Sequence, residues 1–103
     1  MQMHTKKQVN IILAMPLLER LKRILSRDGV TGWTVLPALE GSGSAGSWSR
    51  DGIVGDALQM VMVVSIVDPA KIDKILDDVL KLIDPGSGVV TVTDVEVVRP
   101  TRF

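Results

Sequence analysis

The stretch DALQMVMVVSIVDPAKIDKILDDVLKLIDPGSG, residues 56–88, decides the fold. In its first part Leu58, Met60, Met62, Val64 and Ile66 alternate with Ala57, Val61, Val63 and Val67, the period of two that marks a β-strand. Asp68-Pro69 follows as an N-cap and a proline at the first helical position, where the missing N–H costs nothing. Ile72, Ile75, Leu76, Val79, Leu80 and Ile83 then recur at helical spacing as one apolar stripe. Lys71, Asp73, Lys74, Asp77, Asp78 and Lys81 make up the wet face. Asp84-Pro85-Gly86-Ser87-Gly88 stops the helix.

The flanks extend the pattern. QVNIILAM, residues 8–15, sets Val9, Ile11 and Leu13 against Asn10, Ile12 and Ala14 and reads as a strand. Pro16 opens a helix with Leu17, Leu18, Leu21, Ile24 and Leu25 on one face and Glu19, Arg20, Lys22, Arg23 and Arg27 opposite. Gly29 is its C-terminal cap. TGWTVLPAL, residues 31–39, is a second strand, which Pro37 confines to a sheet edge or bends. VVTVTDVEVV, residues 89–98, is the last strand. The order βαββαβ in a single domain, residues 1–103, predicts an α+β ferredoxin-like sandwich, a four-stranded antiparallel sheet with two helices on one face.

Such a sheet leaves its other face uncovered, and that face should be polar. The strand at 56–67 is apolar on both faces, and Ile12 and Ala14 add to the uncovered one. A large exposed apolar patch marks an interface, so an oligomer packed through the open sheet face is expected.

Composition narrows the function. A chain of 103 residues holds one core, and a hydrophobic share of 46% favours a packed globule over disorder. Lys plus Arg and Asp plus Glu number 12 each, which removes the electrostatic case for nucleic acid or an anionic membrane as main partner. The absence of cysteine excludes a disulfide framework and a thiolate metal site. MQMHTKKQVN, residues 1–10, lacks the apolar core of a signal peptide, and runs such as MVMVV are too short to span a bilayer. A cytoplasmic protein is the expectation. His4, the single histidine, falls in a terminus expected to fray, so no histidine-based metal or acid–base site is expected.

EGSGSAGSWSRDG, residues 40–52, contains a formal G-x-G-x-x-G from Gly41 to Gly46. A dinucleotide fingerprint follows a strand and opens a helix. These glycines lead instead into SWSRDGIVGD, which has no helical periodicity, and then into a strand. A loop of this length between strands, carrying Trp48 and Arg50, reads as functional rather than as a passive linker. DPGSGVV, residues 84–90, admits two readings: a helix stop with a strand start, or a backbone nest in which Gly86 and Gly88 turn N–H groups toward an anion. Spacing alone favours the first. Arg99 and Arg102 could give bidentate phosphate contacts beside that turn. Asp94 and Glu96 share one face of the last strand, where exposed carboxylates serve solubility more often than acid–base chemistry. No nucleophile–histidine pair can be assembled, and an enzyme is not expected.

The order of elements together with GVTGWTVLPALEGSG, the loop before DALQMVMVVSIV, the turn GSG and the end VTDVEVVRPTRF resembles the PII signal-transduction superfamily over nearly the whole chain. Gly32-Trp33-Thr34 is similar to that family's Gly-aromatic/Met-Thr element on its second strand. Residues 40–56 resemble a T-loop, beginning at Gly41-Ser42-Gly43, and residues 84–89 resemble a B-loop around Gly86-Ser87-Gly88. The resemblance implies a non-catalytic homotrimer that binds adenine nucleotides in clefts between subunits and signals through its T-loop.

Departures from the family pattern refine that implication. The chain has no tyrosine, so a uridylylated T-loop tyrosine is excluded. Ser44-Ala45 stands where conventional members carry Arg-Gln, Val89 replaces the B-loop lysine that holds terminal phosphates, and Met60 replaces the lysine that pairs with 2-oxoglutarate. Fewer cations should weaken ATP more than ADP or AMP, and the lost glutamine and lysine argue against 2-oxoglutarate sensing.

What remains is similar to the PII-like branch of inorganic-carbon metabolism, above all the carboxysome-associated CPII type, which binds ADP or AMP with bicarbonate. Carried over, the resemblance assigns Gly32, Trp33 and Thr34 to the adenine and ribose side. It assigns Gly41, Ser42, Gly43 and Ser44 to phosphates or a small anion, Gly86, Ser87 and Gly88 to closure over the nucleotide, and Arg99 and Arg102 to phosphate charge, partly across the subunit boundary; Ile66 and Val89 join the nucleotide-binding set. Arg50, with Ser47 and Ser49, is assigned to the small anion, and Trp48 to a lid or a partner contact. The partner would be a transporter or a carbon-fixation component. A conventional nitrogen-sensing PII, a PII-like metal-tolerance protein and a purely structural trimer are the competing readings. No metal is expected, because Cys and internal His are lacking.

Overall fold

The structure is a computed structural model that describes residues 2–43, 46–49, 59–83 and 88–98. The chain runs through β1 (His4–Ala14), α1 (Leu18–Arg27), β2 (Thr34–Pro37), β3 (Glu40–Gly43), β4 (Gly46–Ser49), β5 (Met60–Val67), α2 (Ile72–Leu82) and β6 (Gly88–Val97). β2, β5, β1 and β6 form one four-stranded sheet in that order, with every neighbouring pair antiparallel. The two helices and this sheet give the expected ferredoxin-like order. β2, with Pro37, occupies one edge as its proline requires, and β6 occupies the other.

Alternation sorts the sheet into two faces. Val9, Ile11 and Leu13 of β1 and Val61, Val63 and Val67 of β5 are buried, and Leu21 and Leu25 of α1 and Ile75 and Val79 of α2 close over them. Full burial of such a side chain contributes about 1.5–3 kcal/mol, so this layer holds the domain together. On the opposite face Asn10, Ile12 and Ala14 of β1 and Met60, Met62, Val64 and Ile66 of β5 are only half-buried. The core that both helices pack against lies on the other face.

Both helices start the same way. Each is preceded by a 3₁₀ turn, Met15–Leu17 or Pro69–Lys71, that carries a proline where a backbone donor is dispensable. α1 ends at Asp28, after which Gly29 takes φ +85°, the left-handed conformation that favours glycine at this position. The Lys71 Nζ donates to the Gly29 carbonyl at 2.9 Å, tying the end of α1 to the start of α2.

Several expectations need correction. The first strand begins at His4 rather than Gln8, because β6 is long enough to pair Val97 with His4. His4 is therefore in the sheet, with Nε2 buried and without a hydrogen-bond partner, and not in a frayed end. The second strand shrinks from 31–39 to Thr34–Pro37. Asp68 occupies the N-cap position but makes no side-chain cap; its carboxylate instead pairs with Lys6. Leu80 leaves the apolar stripe and is 58% exposed, while Leu82 packs against the core. Asp78 is not on the wet face: its side chain is 13% exposed, held between Arg27 and Lys74. Part of the Gly/Ser segment is also regular, since β3 and β4 pair as a hairpin with Glu40 opposite Ser49 and Gly43 opposite Gly46. No described helix is long and apolar enough to cross a membrane.

Candidate ligand-binding site

The first cluster forms at the β2 edge. After Gly29, Val30 is buried and draws the chain back to the core, and Trp33 packs half-buried against it. Gly32 and Thr34 are exposed. Thr34 pairs with Val64, so its side chain shares the open face with Val64 and Ile66. Ile66 lies two residues beyond that pair, on the side of Gly32. Gly32, Trp33, Thr34 and Ile66 are thus brought together.

The Ser65 hydroxyl, on the covered face of β5, donates to the Gly32 carbonyl at 2.7 Å. Sequence reasoning passed over Ser65, although a serine among Val61, Val63 and Val67 breaks an otherwise apolar face. A buried hydroxyl in such a row needs a partner, and that is the signal that could have found it.

The second cluster forms at the β6 edge. Gly88 pairs with Leu13, and Val89 pairs with Ile12 on the open face, where Val89 is 53% exposed. A Cβ at Gly88 would lie 2.7 Å from the Ile12 carbonyl oxygen and 2.7 Å from Ile83 Cγ2. Glycine is required here by close approach of β6 to β1 and to the residue after α2. Gly86 and Ser87, named for the same turn, lie outside the described residues.

The hairpin supplies the third group. Ala38 N–H donates to the Met60 carbonyl at 3.1 Å, which extends the β2–β5 ladder past Pro37 before the chain turns into β3. Gly41, Ser42 and Gly43 are in β3, with Gly41 half-buried and Ser42 exposed. Ser47 and Ser49 fall in β4, Ser47 opposite Ser42. Ser44, Arg50, Arg99 and Arg102 lie outside the described residues.

A charge quartet links the end of α1 to α2. Arg27 Nη2 and Lys74 Nζ stand 3.1 and 2.9 Å from Asp78 Oδ2, and the same two cations stand 3.3 (Arg27 Nε) and 3.5 Å from Asp28 Oδ1. The Asp28 side chain is fully buried at the end of α1. Hydrogen bonding to Asp28 and then to Lys74 pulls the Asp78 carboxyl down to about 2, and the charges of Lys74 and Arg27 act in the same direction. Lys74 is raised, chiefly by its hydrogen bond to Asp78, and Arg27 by its hydrogen bond to Asp28. Among the described residues no group of three or more His, Asp or Glu is arranged to hold a metal ion.

The profile of the family described as nitrogen regulatory protein P-II matches residues 6–102. The chain belongs to the P-II family. Among solved structures, this P-II chain is similar to CPII, a nitrogen regulatory PII-like protein of Thiomonas intermedia K12, seen bound to ADP, AMP and bicarbonate. The two share 28% identity at a TM-score of 0.90, over 99% of this chain and 96% of that one. A second CPII structure, bound to ADP and bicarbonate, matches at 30% identity and a TM-score of 0.85, over 99% and 97%. A candidate PII-like signalling protein of Thermus thermophilus matches at 26% identity and 0.79, over 95% and 94%. A comparison with curated protein sequences finds no match.

Proposed function

We propose that this P-II chain is a non-catalytic signalling protein that binds an adenine nucleotide, ADP or AMP in preference to ATP, in clefts between the subunits of a homotrimer. The observation that carries the reading is the placement of the two clusters. Thr34 lies on the β2 edge, with Ile66 beside it on β5, and Gly88 and Val89 lie on the β6 edge, three interstrand steps or about 14 Å from Thr34. A ligand reaching both within one chain would lay its phosphates across the apolar side chains of Met62, Val64 and Ile12, with the Asn10 amide as the polar group among them. Two copies meeting edge to edge bring the clusters together instead. The half-buried apolar face of β1 and β5 gives those copies a reason to associate.

Bicarbonate is the proposed second ligand, and regulation of inorganic-carbon uptake or fixation the proposed role, supported by the likeness to CPII with ADP, AMP and bicarbonate bound. Residues 40–56 serve as the T-loop-like segment and 84–89 as the B-loop-like turn. Gly41, Ser42, Gly43, Ser44, Gly86, Ser87, Arg99 and Arg102 complete the proposed nucleotide contacts. Arg50, Ser47 and Ser49 are proposed for the small anion. The nucleotide contacts the Gly/Ser segment in one conformation, and a transporter or carbon-fixation component in the cytoplasm reads that conformation.

The family's nitrogen-regulatory description keeps a conventional ATP and 2-oxoglutarate sensor as the second reading. Against it stand Val89 and Met60, apolar where that chemistry needs lysine. Calorimetric titration with AMP, ADP and ATP, each with and without bicarbonate, separates the two. The proposal expects ADP or AMP heats that bicarbonate strengthens. ATP-dependent 2-oxoglutarate binding would favour the second reading, and no heat at millimolar nucleotide would overturn the first.

A further inference from the structure

Ser65 is a buried polar residue in an apolar layer. It is 3% exposed, on the helix-covered face of β5 between Val63 and Val67. Valine at this position would pack as its neighbours do, whereas a buried hydroxyl costs stability unless it is hydrogen-bonded. The bond it makes reaches a distant segment: the hydroxyl donates to the Gly32 carbonyl, 33 residues away in sequence.

Gly32 has no packing reason to be glycine, because a Cβ there would meet nothing within 4 Å. It precedes the first rung of the β2–β5 ladder, the Thr34–Val64 pair, so the ladder does not set the plane of the 32–33 peptide. That peptide is trans, and a trans peptide points its C=O and N–H in opposite directions. With the Gly32 carbonyl turned in toward Ser65, the Trp33 N–H is turned away from the core. The bare Gly32 backbone and the exposed Thr34 lie on either side of it.

We infer that Ser65 is a positioning residue for the nucleotide cleft: its hydroxyl fixes the 32–33 peptide and thereby presents Gly32, the Trp33 N–H and Thr34 to the ligand. The assignment rests on the nucleotide reading above. Ser65 does not touch the nucleotide. It acts through the carbonyl it holds.

The test uses the full chain and compares the parent with Ser65→Ala, Ser65→Thr and Ser65→Val. The last two have the same shape and differ by the hydroxyl. Calorimetry gives the ADP dissociation constant of each. Trp33 emission, read without nucleotide in a Trp48→Phe background, reports the peptide's setting. Loss of one neutral hydrogen bond should weaken ADP about three- to tenfold in the Ala and Val variants, with a shifted Trp33 emission. The Thr variant should keep both parental values. Equal ADP affinity in the parent and Ser65→Ala overturns the assignment, as does equal weakening in Thr and Val. If the parent itself binds no adenine nucleotide, the nucleotide reading falls and this assignment falls with it. A parent that binds ADP beside an unaffected Ser65→Ala removes Ser65 alone.

Discussion

Gly88 and Ile83 leave no space between them: a Cβ on Gly88 would sit 2.7 Å from Ile83 Cγ2, and equally close to the Ile12 carbonyl. The glycine that the family resemblance assigns to a ligand is therefore also a packing requirement of the β6 start. Gly88→Ala should lower unfolding free energy by about 1–3 kcal/mol, the usual cost of overpacking, because the Ile12 carbonyl is backbone and cannot turn aside. Urea denaturation checks this, and an unchanged midpoint would contradict it.

At Gly29 the constraint is conformational. Its φ of +85° is strained for any residue with a Cβ, and the new atom would meet Lys71 Nζ at 3.5 Å. Gly29→Ala should cost about 1 kcal/mol by the same measurement. A stabilised variant would show that this turn is not held as described.

Acid should unfold the protein partly through Asp78. Its folded-state carboxyl lies at about 2, below the ordinary 3.8, so it contributes stability that is fully present above about pH 4. That contribution is lost as pH falls through 2. Asp78→Asn should flatten the acid limb of a melting-temperature profile between pH 4 and pH 2 while lowering stability at neutral pH. Superimposable acid limbs for the two proteins would refute the linkage.

Val89 tests the phosphate end of the proposed site. It is 53% exposed, so Val89→Lys adds a cation without disturbing the core. A charge-assisted contact to a terminal phosphate is stronger than a neutral one, so ATP affinity should rise on the order of tenfold while AMP barely changes. Calorimetry with both nucleotides reads the difference, and an equal gain for AMP and ATP would place Val89 away from the phosphates.

Strand and helix order were legible in the sequence because alternation and helical spacing are local signals, and Pro37 and Gly29 mark an edge and a cap by their own backbone limits. The hairpin of β3 and β4 was not, since Gly41, Ser42 and Gly43 carry no apolar alternation and pair through backbone alone. Leu80 and Leu82 were exchanged because both fall near the stripe, and only the position of the sheet decides which one faces it. The partner of Ser65 lies 33 residues away, and of the two cations on Asp78 only Lys74 is local while Arg27 lies about 50 residues away, so no window of sequence shows that a serine or an aspartate there is buried and bonded as found. The Thr34–Ile66 cluster follows from strand register, which becomes visible only when β2 and β5 are paired.

The central claim, one nucleotide site built from the β2 edge of one copy and the β6 edge of another, can be tested by mixing subunits. Thr34→Arg blocks the first edge and Val89→Asp the second, both at exposed positions, so each variant alone should fold, assemble and bind no ADP. After subunit exchange, about one quarter of sites should join two unaltered edges, and calorimetry should recover ADP binding with the parental dissociation constant at that stoichiometry. Mixed oligomers that form and still bind no ADP would contradict a site shared between copies.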